Sequence, residues 1–455
     1  SVSIGYQAGQ YSQTFGSIAI GYLVGSSQQG TQAVAIGYQA AQTLQGTQAI
    51  AIGFQAGQTN QGSGAIAIGI LAGRTGQGLS AIAIGDNAAS GVNSLYLQGA
   101  RAIAIGAAAG QGGQQANAIA IGFNAAVQSS QQTEAVAIGY YSGGNFQGQY
   151  AVALGSFSGV NVQGNYSVAV GNQAGYQSQG QQSVAVGYYS AQISQGQYAV
   201  AIGSNAATVS QGDGAIAIGW RAGYTIQGSY SIAIGYQAGS TQQGSLSVSI
   251  GYSAGQTNQG SLSVAIGYGA GAGTQASQAV SIGYNAGVVS QGQYSVALGP
   301  NAGNSIQGSQ SIAIGYQAGQ TSQGNNATAI GFQAGYSTQG AYSLALGYRA
   351  GGATTQQHQN TIIMNATTIS LDSQTQSAFY AAPIRQASAA NTLYYDTTYN
   401  EIVYEGAATV EAINFSNYGQ TSKLQSIPYA SNQVIKTSNV TTNLDNWVDN
   451  AQTYT

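Results

Sequence analysis

Residues 231–246, SIAIGYQAGSTQQGSL, form one complete copy of a unit that recurs through most of this chain. The glycine that ends its first phrase, Gly235, has counterparts every sixteen residues between Gly139 and Gly347 and again near the N-terminus. A fixed repeat of this length is too short for a helical hairpin and suits one solenoid coil with two short strands and two turns. The sequence therefore predicts an all-β fold, a parallel β-solenoid (β-roll) of 16-residue coils over residues 1–351.

The repeat is longer than usual at two places. Five extra residues lie between Gly85 and Gly106, and one extra residue precedes Gly139. Solenoids carry such insertions on surface loops. We therefore expect residues 93–97 to bulge from the rod and the following Gln-Gly pair, residues 98–99, to restore the coil.

The first phrase of each unit alternates small and branched apolar side chains, which is the two-residue period of a β-strand. In residues 231–234 this period puts Ile232 and Ile234 on one face and the two small side chains on the other. Because large apolar residues are usually buried, we expect Ile, Val and Leu to form the core and the small residues to face outward. Gly235 turns the corner.

The second half of each unit predicts a second strand and a return turn. β-branched residues occur at Thr225, Thr241 and Thr257, and each is followed by a Gln-Gly pair. Gln211, Gln227, Gln243 and Gln259 belong to the same column, and stacked glutamines can form amide ladders along the axis, as in cross-β structures.

A continuous strip of Ala and Ser on an outward strand face predicts close packing against another chain, because such a strip exceeds the usual exposed apolar patch. Identical coils favour a symmetric partner, so the sequence predicts a homotrimer. The alternative is a monomer with a flat surface, as in ice-binding solenoids. The expected oligomer face includes Ala33, Ala35, Ala215, Ala217, Ala233, Ser247 and Ser249.

Residues 263–271, SVAIGYGAG, carry a resemblance to a known family. The phrase resembles the head repeat of trimeric autotransporter adhesins, and copies of it cover residues 1–351. The resemblance implies left-handed parallel β-rolls associated around a threefold axis on a cell surface. The coil here is longer than in typical adhesin heads and has an added Gln-Gly turn.

The composition changes after residue 352, and residues 352–455 are interpreted as a C-terminal cap or trimerisation region. Short strands are expected at residues 361–364 and 377–380, and a hairpin at residues 393–404. The motifs at residues 360–366, 380–385 and 393–402 are similar to a segment of bacteriophage tail fibres and large DNA virus fibre proteins, which implies a virion fibre.

The residues that carry chemistry are sparse. Charged residues make up 4% of the chain and cysteine is absent. The acids Asp86, Glu134 and Asp213 fall on well-separated coils, although glycosidases typically need two neighbouring carboxylates, and the single histidine, His358, lies in a polar linker. We expect no enzyme activity, catalytic residue, cofactor or metal site. The charge balance predicts no nucleic-acid partner, and the short apolar runs predict no membrane insertion.

The favoured function is a structural fibre at a virion surface or an extracellular cell surface that mediates attachment to a host. The alternatives are a purely structural extracellular filament and an ice-binding solenoid. A cell-surface glycan or protein receptor would contact either the C-terminal cap or a column of tyrosines just before the first strand. The rings of this column could instead only cover the strand edge. This column holds Tyr150, Tyr166, Tyr198, Tyr230, Tyr294 and Tyr342.

Overall fold

The computed structural model describes all residues except 92–96, 129, 353–355, 385–391, 397, 400 and 406–455. The described residues form strands and turns with no helix. Contacts within the chain divide it into two compact units, Ser1–Ile384 and Arg385–Thr455. The first unit is the parallel β-solenoid that the repeat predicted.

One 24-stranded parallel sheet runs along the first unit, with one strand from each successive coil. Equivalent residues pair in register, so Ala233 lies between Ala217 and Ser249. At about 4.8 Å per strand the sheet is ~110 Å long. Its strands are Val2–Ile4, Ile18–Ile20, Val34–Ile36, Ile50–Ile52, Ile66–Ile68, Ile82–Ile84, Ile103–Ile105, Ile119–Ile121, Val136–Ile138, Val152–Leu154, Val168–Val170, Val184–Val186, Val200–Ile202, Ile216–Ile218, Ile232–Ile234, Val248–Ile250, Val264–Ile266, Val280–Ile282, Val296–Leu298, Ile312–Ile314, Thr328–Ile330, Leu344–Gly347, Ile362–Asn365 and Phe379–Ala382.

The opposite wall of the rod is built from strands of two or three residues in three separate parallel sheets, which have three, three and seven strands. Thr241 and Thr257 begin such strands, as predicted, whereas the coil of Thr225 keeps only a bridge at Gln227. The strands of this wall are Thr43–Gln45, Thr59–Gln61, Thr75–Gln77, Gln177–Gln179, Ile193–Gln195, Val209–Gln211, Thr241–Gln243, Thr257–Gln259, Thr274–Gln275, Ser290–Gln291, Ile306–Gln307, Ser322–Gln323 and Thr338–Gln339.

The parallel stack continues beyond residue 351, where the sequence analysis placed the end of the rod. Ile362–Asn365 and Phe379–Ala382 pair with the long sheet in succession. Ile363 pairs with Ala345 and is fully buried, so a large side chain enters the interior at this level. Further on, Thr392–Asp396 and Glu401–Glu405 form the expected antiparallel hairpin. The role of residues 352–455 as a cap stays a prediction.

The orientation predicted for the first strand is wrong. In every regular coil the small side chains face the interior and the branched ones face outward: Ala233 is fully buried, whereas Ile232 and Ile234 are partly exposed. The residues expected to form an outward oligomer face are accordingly enclosed within a single chain. All are 0% exposed: Ala33, Ala35, Ala215, Ala217, Ala233, Ser247 and Ser249.

The physical reason is the narrowness of the coil. A Cβ atom placed on Gly239 of the opposite wall would lie 3.2 Å from Cβ of Ala233 and 2.6 Å from Oε1 of Gln243. The two walls therefore leave room for alanine, serine and one extended glutamine, and no room for a ladder of isoleucines. The close packing that proteins require is reached here with small side chains.

Gly235 turns the corner because no other residue fits there. Its φ of +127° is a conformation that residues with a side chain rarely adopt. A Cβ atom would also lie 2.5 Å from the carbonyl oxygen of Gly251 in the next coil. The glycine of the return turn, Gly244, has an ordinary φ, but its Cβ would lie 2.4 Å from the backbone nitrogen of Ser261. Both glycines permit the close stacking of coils.

The five-residue insertion leaves the stack in register. Ile82 pairs with Ile103 across it. Gln98 then takes the standard place of the glutamine column, bridging to Gln77 and Gln114, so the Gln-Gly pair restores the coil as predicted. The expected bulge falls on residues 93–97, of which only Leu97 lies within the described residues; its side chain is exposed.

Candidate binding surface

The predicted tyrosine column lies at the turn before the first strand. Each of its tyrosines has a positive φ between 57° and 59°, which directs the ring away from the interior. The side chains are 39–66% exposed, least for Tyr150 and most for Tyr342. The structure therefore places the six predicted residues on one exposed column, although most are separated by other residue types.

Rings in this column lean toward the preceding coil. Tyr166 stacks on Tyr150 with ring centroids 5.0 Å apart. A Cβ atom on Gly214 would lie 2.7 Å from Cδ1 of Tyr230, so this ring lies over the glycine of the coil before it. The interpretation that stacked rings only cover the strand edge fits Tyr150 and Tyr166, which stack on each other. It fits Tyr198 and Tyr230 less well, because their side chains are 63% and 65% exposed.

A second aromatic column, which the sequence analysis missed, follows the corner glycine at the other end of the first strand. Tyr236, Tyr252 and Tyr268 stack at 4.7 and 4.9 Å with nearly parallel rings. The sequence signal is an aromatic residue, most often tyrosine, that directly follows the corner glycine in many of the coils. Other stacked members are Tyr6, Tyr22, Tyr38, Phe54, Phe123, Tyr140, Trp220, Tyr284, Tyr316, Phe332 and Tyr348.

Between the two aromatic columns lies the outer face of the long sheet, here named the Ile/Val face and defined by the first and third residues of each first strand. Its third position is well exposed: Ile218 and Ile250 are each 36% exposed, and Leu298 is 40% exposed. The face is ~10 Å wide and ~110 Å long, or ~1,000 Å². Single chains rarely expose so large an apolar patch without an interaction.

The glutamine column is structural. One glutamine per coil, from Gln13 to Gln357, bridges to the next along the rod. Gln227 is 2% exposed, and its Nε2 donates to the carbonyl oxygen of Ile216 at 2.7 Å. Gln211 also donates to Oε1 of Gln227 at 3.1 Å, which confirms the predicted ladder for this pair. Along the column, the glutamine side-chain amides nevertheless donate more often to backbone carbonyls than to the next glutamine.

His358 is held by its surroundings. Oγ of Ser373 accepts the backbone N–H of His358 at 2.9 Å and lies 3.0 Å from its Nδ1. Because Ser373 is only 2% exposed, its hydroxyl is not open to a substrate, and we assign the pair to local structure. Among the described residues no group of three or more histidines, cysteines and acids could hold a metal ion.

The three acids of the repeat lie on separate coils, as their spacing predicted. Asp86 accepts a hydrogen bond from Nδ2 of Asn87 at 2.8 Å. Asp213 accepts the backbone N–H of Gln197 in the preceding coil at 2.9 Å. Glu134 lies in the exposed column that also contains Tyr150. Over the described part of the chain, no helix has the length and hydrophobicity needed to cross a bilayer.

Comparison with known proteins matches one family model to parts of the rod. Four segments match the YadA head domain repeat. They are residues 147–174, 194–222, 307–334 and 322–350. The matches support the resemblance to trimeric autotransporter adhesin heads and the interpretation of the rod as an adhesin-like surface fibre. No curated protein matches the chain significantly. No solved structure does so either.

Proposed function

We propose that this protein is a structural fibre of a virion or cell surface and that it attaches its bearer to a host surface. The observation that carries the proposal is the unbroken stack of in-register coils, parts of which match an adhesin head repeat. The described residues contribute exposed aromatic columns rather than a recessed site with reactive groups. Such a rod suits multivalent contact with a surface.

The fibre is proposed to be a homotrimer that packs through the Ile/Val face. This replaces the Ala/Ser face of the sequence analysis, whose members are enclosed in one chain. A second copy is the favoured occupant because each coil offers the same pair of branched side chains at the same height, so identical coils can meet level by level. The resemblance to adhesin heads favours three chains over two.

The oligomer is tested by light scattering and thermal unfolding of the purified chain. We expect three times the monomer mass. The triple variant Ile218→Lys, Ile234→Lys and Ile250→Lys should dissociate or lose thermal stability, because it would bury like charges without partners. A wild-type chain with the monomer mass would refute the proposal.

The control for this test carries lysines on the opposite wall, at Ile226, Val289 and Ile306, which are 47%, 54% and 54% exposed. This variant, Ile226→Lys, Val289→Lys and Ile306→Lys, should keep the wild-type mass and stability. Equal effects of the two triple variants would also count against the Ile/Val face.

Attachment is assigned to the tyrosine column, since tyrosine offers a flat apolar ring and a hydroxyl to a glycan or protein receptor. Beads coated with the full chain should adhere to cells of a panel of types. The variant Tyr198→Ser, Tyr230→Ser and Tyr294→Ser removes exposed rings that make no ring contact within the described residues, and it should adhere less without a lower melting temperature. Unchanged adhesion with lowered stability would make the column structural, and a chain that adheres to no cell type would favour the purely structural filament.

A further inference from the structure

One coil departs from the repeat on the exposed side of the tyrosine column. The column carries a tyrosine at Tyr198, a glycine at Gly214 and a tyrosine again at Tyr230, in three consecutive coils. Asp213, one of the few acids of the rod, adjoins the glycine. Two tyrosines, a glycine and a carboxylate therefore occur together at this place on the rod.

Gly214 leaves the side-chain position of its coil empty between the two rings. The ring of Tyr230 lies over Gly214, since a Cβ there would be 2.7 Å from Cδ1 and 2.8 Å from Cε1 of the ring. Tyr198 has no side chain above it from that coil and is 63% exposed, compared with 39% for Tyr150, on which another ring stacks. Tyr198 and Tyr230 thus lie on either side of a coil that has no side chain in this column, and these two exposed rings are here named the aromatic platform.

A carboxylate is fixed beside this platform. Oδ1 of Asp213 accepts the backbone N–H of Gln197, the residue just before Tyr198, at 2.9 Å. This hydrogen bond holds the acid toward the Tyr198 coil while the residue stays exposed. A carboxylate has two oxygens and about four acceptor sites, so it retains capacity for hydroxyl groups of a ligand.

We propose that Tyr198, Tyr230 and Asp213 form a carbohydrate-binding site for a pyranose sugar on the side of the rod. The apolar C–H face of the ring would stack on the aromatic platform, and neighbouring hydroxyls would donate to Asp213. An exposed ring pair with one hydrogen-bonding anchor suits such an amphipathic ligand. The inference rests on the proposed attachment function and names the ligand class of its tyrosine column.

The repeat supplies a matched variant for each part of the site. Gly214→Gln introduces the residue type found at Gln182 and Gln278, which occupy the same column with φ of 54° and 61°. The backbone can therefore accept it, and its side chain displaces the ring of Tyr230. Asp213→Asn copies Asn165, whose Oδ1 accepts the N–H of Gln149 at 2.9 Å. It retains the local hydrogen bond and removes the charge.

The experiment titrates the full chain with lactose and with cellotetraose, observed by ligand NMR and calorimetry. We expect binding of at least one sugar, and roughly tenfold weaker binding by Gly214→Gln, Tyr198→Ser and Asp213→Asn, as for the loss of one stacking or hydrogen-bonding contact. Leu262→Ser, at a position of the same column that is 52% exposed and lies outside the proposed site, is the control and should bind as the wild type does. Circular dichroism should give the same melting curve for all variants.

The inference is overturned if neither sugar binds, or if Gly214→Gln and Asp213→Asn bind as tightly as the wild type. Its failure can be distinguished from failure of the proposed function. If beads coated with the Gly214→Gln variant adhere to cells as well as wild-type beads do, the proposed attachment function stands and this sugar site is refuted. That result is expected for a protein receptor that binds elsewhere on the chain. If sugar binding depends on Gly214 and Asp213 but the beads adhere to no cell type, the sugar site stands and the proposal of host attachment is refuted.

Discussion

The hydroxyl of Ser249 donates a hydrogen bond to Oε1 of Gln259 at 2.5 Å inside the rod. In the coil before it Ala233 takes the place of this serine, and Oε1 of Gln243 has no hydrogen-bonding partner. The serine therefore completes a buried polar network that alanine leaves open. An unsatisfied buried acceptor costs about 1–3 kcal/mol, and a typical hydrogen bond contributes about 1 kcal/mol.

This relationship gives a reciprocal prediction. Ser249→Ala should lower the free energy of unfolding by about 1 kcal/mol, and Ala233→Ser should raise it by about 0.5–1.5 kcal/mol by giving Gln243 a donor. Urea unfolding of both variants measures the two changes. Ser245→Ala, at an exposed turn position of the same coil, should change stability by less than about 0.5 kcal/mol. Destabilisation by both interior substitutions would show that volume, rather than hydrogen bonding, governs this position.

The same network predicts the effect of removing its glutamine. Gln259 also donates to the carbonyl oxygen of Val248 at 2.9 Å and to Oε1 of Gln275 at 3.2 Å. Gln259→Leu should lower the free energy of unfolding by about 2–4 kcal/mol, because several buried groups lose their partner. Gln256→Leu is the control in the same coil, since this partly exposed glutamine donates only to Oε1 of Gln237 at 3.2 Å. Equal stability of the two variants would refute a structural role for the ladder.

The corner glycine predicts a larger loss. Gly235→Ala must adopt a φ of +127° and place its Cβ 2.5 Å from the carbonyl oxygen of Gly251. We expect a loss of roughly 3 kcal/mol or more, seen by thermal and urea unfolding. Gly64→Asn is the control, because a Cβ there meets no atom closer than 3.4 Å and its column holds Asn117 and Asn326 with positive φ. A Gly235→Ala chain as stable as the control would contradict the assigned corner geometry.

Each pattern in the sequence predicts only the structural property on which that pattern depends. The spacing of the glycines gives the coil length and the register directly, because stacking at a corner tolerates only glycine. The alternation of Ile232, Ala233 and Ile234 defines two faces but not which one is inside, and the general preference for burying large apolar residues indicated the wrong one. The informative signal was the small residue on both walls, Ala233 opposite Gly239, which predicts a narrow interior.

The candidate site was predictable to a similar degree. The exposure of Tyr198 and Tyr230 could be predicted from their turn position, but the contact of the Tyr230 ring with Gly214 depends on the direction in which side chains lean along the axis. That direction is set by the geometry of successive coils and leaves no mark in a single repeat. The stacked column of Tyr236 and Tyr252 lies just outside the strands, so the two-residue alternation that defines the strands carries no information about it.

Stacking in this second column should be measurable. Tyr252 lies between Tyr236 at 4.7 Å and Tyr268 at 4.9 Å. Tyr252→Ser should lower the free energy of unfolding by about 1–3 kcal/mol, since each ring pair contributes about 0.5–1.5 kcal/mol. Tyr294→Ser is the control: its ring is 51% exposed and makes no ring contact within the described residues. If both variants lose the same stability, the stacks contribute nothing specific.

The last prediction concerns the insertion between Gly85 and Gly106. In a regular coil the column glutamine bonds a carbonyl eleven residues earlier, as Gln243 does with Ile232. Gln98 bonds the corresponding carbonyl of Ile82, sixteen residues earlier, at 2.8 Å, so the five-residue insertion leaves this closing hydrogen bond intact. Loop length has only a small effect on closure entropy. Deletion of residues 93–97 should therefore preserve the β-rich circular dichroism spectrum and leave the melting temperature nearly unchanged. Deletion of residues 225–229, which removes Gln227 and Gly228 from a regular coil, should instead destabilise the rod strongly. Loss of folding upon deletion of residues 93–97 would show that the insertion belongs to the core.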